Sequence, residues 1–233
     1  MIKIGGLQKT TLIDFPGCVA ATVFLSGCNF RCPFCYSSEL VLPEKIKNHP
    51  LLSEGYFFDF LKERKGLLEG IVICGGEPTT NKDLPEFLKK IKDMGFLIKL
   101  DTNGSNPEML EILIEKKLVD YVAMDIKASK EKYVETVKGK VKLKDIEKSI
   151  NILKEGNIDY EFRTTVVPGI HNKEDIIKIV EWIKPAKRYF LQNFRGEKTI
   201  DSKFEQIKPY PSSFLLEIKN KIDSYFKQCE IRA

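Results

Sequence analysis

Long apolar runs are missing from this 233-residue chain. The longest, Val19 to Leu25, is far short of the ~20 residues that a bilayer-spanning helix needs. Met1-Ile2-Lys3-Ile4 lacks the layout of a secretory signal. A cytoplasmic protein with no membrane partner is the expectation. Blocks of like charge are missing too. The 38 basic and 33 acidic residues are spread along the chain with no run of five or six of one sign, so a net charge of +5 permits RNA as a partner without indicating it. No internal repeat or low-complexity linker marks a boundary, which points to one domain over residues 1–233. Histidine is scarce: His49 and His171 fall in polar, loop-like stretches, and neither has a nucleophilic partner nearby in sequence, so a Ser-His-Asp reading has no support.

The composition present is that of a globular protein, 42% hydrophobic and 30% charged, in a chain long enough for one substantial core. Strand-like runs occur at Val19 to Leu25, Ile71 to Cys74, Phe96 to Leu100, Tyr121 to Met124, Tyr160 to Val167 and Tyr189 to Gln192. Helical spacing lies between them, at Tyr56 to Lys65, Leu84 to Ile91, Met109 to Leu113, Leu143 to Leu153 and Ile176 to Ile183. Such alternation predicts an α/β fold with parallel strands and right-handed crossovers. Six units are too few to close an eight-stranded barrel, so an open, partial (β/α)6 TIM-like barrel is expected. Residues 1–17 read as an N-terminal extension, and Pro209 to Ala233 as a C-terminal helix. The glycine-bearing and polar motifs follow the strands, where barrels of this kind carry their chemistry.

Six cysteines in a chain of this kind point to metal or redox chemistry before disulfides. Cys28, Cys32 and Cys35 lie within eight residues, while Cys18, Cys74 and Cys229 are scattered singly. Cys18 and Cys74 read as small buried hydrophobes and Cys229 as incidental. Three thiolates leave one iron of a four-iron cubane open to a substrate, and Phe34 beside Cys35 would shield such a cluster. Spacing alone leaves a competitor standing: zinc held by the three thiolates, with His49 or another cysteine as fourth ligand.

At this point the residues resemble a known family. Cys28-x3-Cys32-x2-Cys35 with an aromatic before the last cysteine resembles the cluster loop of the radical S-adenosylmethionine (SAM) superfamily, and Gly75-Gly76-Glu77-Pro78 resembles its motif for the SAM amino group. The likeness runs over nearly the whole chain. It is closest to activating enzymes of glycyl-radical proteins, in particular activators of anaerobic ribonucleoside-triphosphate reductase, whose N-terminal signature Gly5 to Gly17 resembles.

The resemblance implies a [4Fe–4S] cluster on Cys28, Cys32 and Cys35. It implies reductive cleavage of SAM to methionine and a 5′-deoxyadenosyl radical, and hydrogen abstraction from a glycine of a partner glycyl-radical enzyme. A donor such as ferredoxin or flavodoxin would supply the electron. It places Gly75, Gly76 and Glu77 at the methionine amino group. Asp101, Thr102, Asn103, Asp125 and Lys127 would line the SAM pocket, with Arg163 near the SAM carboxylate or adenosine. By likeness to pyruvate formate-lyase activators, Asp101, Thr102 and Asp125 would hold Na⁺ or K⁺, a hard cation suited to oxygen donors.

Each of these has a plainer reading. Asp101 and Asp125 could cap turns, Lys127 is one lysine among many, and Arg163 could simply pair with a carboxylate. Two positions depart from the family. Tyr36-Ser37 stands where the activators carry His-Asn, and Phe194 where pyruvate formate-lyase activators carry His; both bear on the substrate and not on SAM cleavage. The alternatives are a radical SAM enzyme acting on RNA or a small metabolite, and a non-catalytic metal-binding or electron-transfer protein.

Overall fold

A computed structural model describes residues 2–232. Eight strands are hydrogen-bonded in sequence order. They are β1 (Ile4–Thr11), β2 (Ala20–Leu25), β3 (Gly70–Gly75), β4 (Leu97–Thr102), β5 (Tyr121–Asp125), β6 (Asp159–Val166), β7 (Ala186–Asn193) and β8 (Phe226–Arg232). β1 runs antiparallel to β2; the β2–β3, β3–β4, β6–β7 and β7–β8 pairs are parallel. The open parallel α/β sheet expected from the alternation is present, with every one of the six anticipated strands in place.

Helices occupy the crossovers: α1 (Ser38–Val41), α2 (Pro43–Ile46), α3 (Glu54–Glu63), α4 (Leu84–Asp93), α5 (Pro107–Glu115), α6 (Tyr133–Val137), α7 (Leu143–Glu155), α8 (Lys173–Ile183) and α9 (Ser212–Ile222). Their apolar spacing explains their docking. α4 buries Leu84, Phe87, Leu88 and Ile91, and α7 buries Ile146, Ser149, Ile150 and Leu153, each an i, i+3, i+4, i+7 stripe on one face. Every such aliphatic side chain contributes roughly 1.5–3 kcal/mol by leaving water. The start of α8 is fixed by a capping box, in which Asn172 accepts from the Asp175 N–H and Asp175 accepts from the Asn172 N–H, both at 2.9 Å. No helix among the described residues is long and apolar enough to cross a membrane.

The chain divides into two compact units. The first comprises the residues up to Asn29, Ser37–Thr102 and Asn106–Val122; the second comprises Phe30–Tyr36, Asn103–Ser105 and the residues from Ala123 onward.

Two expectations are corrected. The N-terminal extension contains strand β1, which the sequence hides because Gly5 and Gly6 weaken strand propensity and Gln8 to Thr10 are polar and solvent-exposed. The reading of Pro209 to Ala233 as one helix fails beyond Ile222. Phe226 falls four residues after Ile222 and continues the helical spacing, but a 3₁₀ turn at Asp223–Tyr225 ends the helix and the chain leaves as β8.

Candidate active site

In the first unit, the turn after β2 and the turn after β3 are joined through their backbones. Gly76 donates to the Leu25 carbonyl at 2.8 Å and Glu77 donates to the Gly27 carbonyl at 2.7 Å, one residue before Cys28. Gly27 donates in turn to the Leu40 carbonyl at 2.7 Å, and Ser26 to that of Lys3 at 2.9 Å. Gly76 is required here by proximity, since a Cβ at that position would collide with the Gly27 carbonyl. Gly75 has φ +115°, and a side chain there would strike the Leu25 backbone. Gly5 of β1 serves a similar end: a Cβ there would collide with Leu40 and lie 2.6 Å from the Ser26 hydroxyl.

The carboxylate of Glu77 is buried and highly organised. Its Oε1 accepts from the Thr79 N–H (3.1 Å), the Thr79 hydroxyl (2.5 Å) and the Thr102 hydroxyl at the end of β4 (2.7 Å). Glu77 thus presents a pre-oriented anion at the turn after β3, which fits a substituted ammonium group. Asp101, at the end of β4, is ion-paired with Lys99, two residues back on the same strand face and almost fully buried.

In the second unit, the segment Phe30–Tyr36 has no regular secondary structure and is held at several points. Arg31 donates to the Val137 carbonyl at 2.8 Å, and Cys35 closes a turn onto the Cys32 carbonyl at 3.1 Å. The chain after β7 grips it from outside: Ile200 donates to the Cys35 carbonyl (3.0 Å) and Asp201 to that of Pro33 (2.9 Å). Cys32 and Phe34 are buried, while Cys28 and Cys35 are half-buried. Burial pushes the Cys32 thiol up to about 11, opposed in part by the Lys127 ammonium. None of the six cysteines is in a disulfide.

Lys127, Asp125 and Arg163 form one ionic group in this unit. Asp125 accepts from Lys127 Nζ on Oδ2 (2.9 Å) and from Arg163 Nε on Oδ1 (2.8 Å). Burial by itself would raise the Asp125 carboxyl, but the charges of Arg163 and then Lys127 outweigh it and hold Asp125 well below the usual carboxylate range. For Lys127 burial works against the charged form, and the Asp125 carboxylate outweighs it, so the ammonium persists far above its ordinary range. Asn103 folds over its own turn, its side-chain oxygen accepting from Ser105 at 2.9 Å.

These contacts test the expected groups. Three thiols, one buried beside a permanent cation, fit a sulfur-ligated cluster, whose ligands must be deprotonated. His49 Nε2 donates to the Gly5 carbonyl at 2.6 Å, which fixes its ring orientation. Cys18 and Cys74 pack against Phe15, Ala20, Val72 and Tyr121, the hydrophobic role expected of them. Among the described residues no group of three or more His, Cys, Asp and Glu is set around a single metal ion. Of the residues expected at a monovalent cation, Asp101 is ion-paired with Lys99, and Asp125 accepts from Lys127 on one oxygen and from Arg163 on the other.

Sequence reasoning missed three features. Tyr36 and Phe194, the two departures from the family pattern, stack on one another at 6.0 Å and 19°, with the Tyr36 hydroxyl accepting from the Arg195 N–H at 2.8 Å. Lys99 could have been found, since its two-residue spacing to Asp101 puts both on one strand face. His171 is not in an open loop. It is buried, its Nδ1 accepts from the Val167 N–H at 3.0 Å, and its Nε2 therefore carries the proton donated to the Lys127 carbonyl at 3.0 Å.

That arrangement predicts a pH effect on stability. Burial is the main cause that pushes the His171 imidazole down to about 4, below the ~6.5 of a free imidazole. As pH falls, the unfolded chain takes up the proton first. The stabilisation is therefore complete above about pH 6.5 and is lost progressively towards pH 4, by up to about 3 kcal/mol. Urea unfolding at a series of pH values should show this slope in the wild type and a shallower one in His171→Gln; equal slopes would remove the assignment.

Comparison with known proteins adds four findings. The Radical SAM superfamily model matches residues 22–183. A Methanocaldococcus jannaschii protein, provisionally named a glycyl-radical enzyme activating enzyme, is 35% identical over 236 residues, covering 98% of this chain and 95% of the relative. A Thermococcus kodakarensis 7-carboxy-7-deazaguanine synthase is 31% identical over 177 residues, covering 69% of this chain and 66% of the relative. Among solved structures, QueE from Escherichia coli aligns with a TM-score of 0.58 at 16% identity over 100% of this chain and 94% of its own, a likeness of fold alone.

Proposed function

Because the chain belongs to the radical SAM superfamily, we propose that it generates a glycyl radical on a partner enzyme in the cytoplasm, the partner being anaerobic ribonucleoside-triphosphate reductase. The observation that carries this reading is the 35% identity to a provisionally named glycyl-radical enzyme activating enzyme along almost the full length of both chains. The signature from Gly5 to Gly17 supports the same choice. The whole chain, residues 1–233, acts in this proposal as one radical SAM domain.

The cluster and SAM, when bound, supply a one-electron cleavage that yields methionine and a 5′-deoxyadenosyl radical. The residues of the chain have defined parts in that reading. Cys28, Cys32 and Cys35 hold the cluster, and Phe34 keeps water from its edge. Gly75, Gly76 and Glu77 receive the methionine amino group, with Thr79 and Thr102 fixing the Glu77 carboxylate. Lys127 and Arg163 offer positive charge to the SAM carboxylate, held in orientation by Asp125. Asp101, Thr102 and Asn103 complete the pocket wall.

A second reading, SAM-dependent chemistry on a small metabolite, is favoured by the 31% identity to a 7-carboxy-7-deazaguanine synthase and by the Tyr36–Phe194 pair. One experiment separates them. Mixed anaerobically with the reductase, SAM and reduced ferredoxin or flavodoxin, the protein should produce the doublet of a glycine radical in electron paramagnetic resonance. Steady 5′-deoxyadenosine formation without that doublet, for every glycyl-radical partner offered, would transfer the assignment to a metabolite or an RNA.

A further inference from the structure

The strand that the sequence conceals, β8, carries a side chain that reaches the candidate SAM pocket through one intermediary. On β6, Glu161 and Arg163 alternate onto the same face. Glu161 has no solvent exposure and is held by a bidentate pair from Arg232, NH1 to Oε1 at 2.6 Å and NH2 to Oε2 at 2.9 Å. The Arg232 guanidinium carbon also lies over the ring of Phe190 in β7, 3.4 Å from its centroid. From the other side, Arg163 NH1 is 4.0 Å from Glu161 Oε1 while its Nε is committed to Asp125. Lys127, Asp125, Arg163, Glu161 and Arg232 therefore make a line of alternating charge across the second unit.

We infer that Arg232 is a positioning residue for the SAM pocket, acting through Glu161 on Arg163. The inference rests on the proposed role of Arg163 towards SAM. A carboxylate with no access to water must be paired. With Arg232 present, both Glu161 oxygens are satisfied and Arg163 keeps its bond to Asp125. Without it, the Glu161 charge attracts the guanidinium 4.0 Å away, and Arg163 turns from Asp125 towards Glu161. Asp125 then pairs with Lys127 alone, and both cations offered to the SAM carboxylate shift.

Removing Glu161 as well removes the attraction and leaves Arg163 where it was. A single deletion is therefore expected to be worse than the double one, the reverse of what independent losses would give.

The test uses the full-length, anaerobically reconstituted protein and four variants: Arg163→Met, Arg232→Met, Arg232→Lys, and Arg232→Met combined with Glu161→Met. Two readouts are taken, equilibrium SAM binding by calorimetry without reductant, and KM and kcat for 5′-deoxyadenosine formation. Arg232→Met should weaken SAM binding roughly tenfold and raise KM by a similar factor, within the span of couplings between contacting charges, with kcat and iron content little changed. Arg232→Lys should recover little, since one ammonium cannot make the bidentate pair. The combined variant should return binding to near wild type.

Wild-type affinity in Arg232→Met alongside weakened affinity in Arg163→Met overturns the inference and leaves the role of Arg163 intact. Wild-type affinity in Arg163→Met overturns that role, and the inference with it. If Arg232→Met alone does not fold, the combined variant decides: near-normal binding supports the coupling, and binding as weak as in Arg163→Met overturns it.

Discussion

Replacing Cys32 by serine is expected to abolish 5′-deoxyadenosine formation, with iron and sulfide content dropping well below four of each per chain after reconstitution. A serine hydroxyl is a hard, weakly acidic ligand where iron–sulfur chemistry needs a soft thiolate. The position is also unforgiving. Cys32 is buried, so solvent is poorly placed to substitute for it. Its thiol already resists ionisation, pushed up to about 11 by burial and eased only by Lys127. Cys18→Ser, Cys74→Ser and Cys229→Ser are the controls. The first two sit in the Phe15 cluster, and burial pushes the Cys229 thiol up to about 12; all three should keep full iron. Full iron in Cys32→Ser, with loss in one of the controls, would place the cluster elsewhere.

Gly76→Ala should separate SAM binding from cluster binding. The added methyl collides with the Gly27 carbonyl, and both neighbours are backbone already tied by the Glu77 to Gly27 bond at 2.7 Å. Something must move, and overpacking of this kind typically costs about 1–3 kcal/mol. Displacement of the turn carrying Glu77 moves the carboxylate off the Thr102 hydroxyl that holds it at 2.7 Å. A displacement near 1 Å at a positioning group can cost about a hundredfold in rate. The expectation is a protein that folds and loads iron but whose SAM cleavage falls by that order. Calorimetry of SAM binding, with absorption spectra of the reconstituted cluster, would show it. Unchanged SAM affinity would mean that these glycines pack the strand ends together and do nothing more.

Much of the architecture was legible locally. Five helices and six strands follow from apolar spacing because their burial is periodic and their partners lie on adjacent segments, as the stripes of α4 and α7 show. β1 and β8 were not legible, because edge strands with exposed polar residues, Gln8 to Thr10 in the one and Lys227 and Gln228 in the other, carry little pattern, and Phe226 mimics one more helical turn. The signature near the N-terminus was visible as a motif but not as a structure. Phe15 fills a core position and its ring would meet any Cβ at Gly70, while Asp14 accepts from Thr22 at 2.8 Å. Those residues shape the start of β2 and leave Leu12 and Ile13 exposed.

By itself the amino-acid sequence determined the chemistry on offer: three thiols in one loop, a Gly-Gly-Glu turn after a strand, and polar residues at successive strand ends. Composition and spacing are local properties, and a short loop needs no long-range contact to collect its ligands. Only the tertiary structure decided how charges are shared. It set Lys127 and Arg163 on either oxygen of Asp125, closed His171 onto the Lys127 carbonyl, and brought Arg232 across 71 residues of chain to Glu161. Such pairings depend on which side chains become neighbours once water is excluded. Burial makes an unpaired charge costly, and the identity of its partner is a property of the fold and not of the segment.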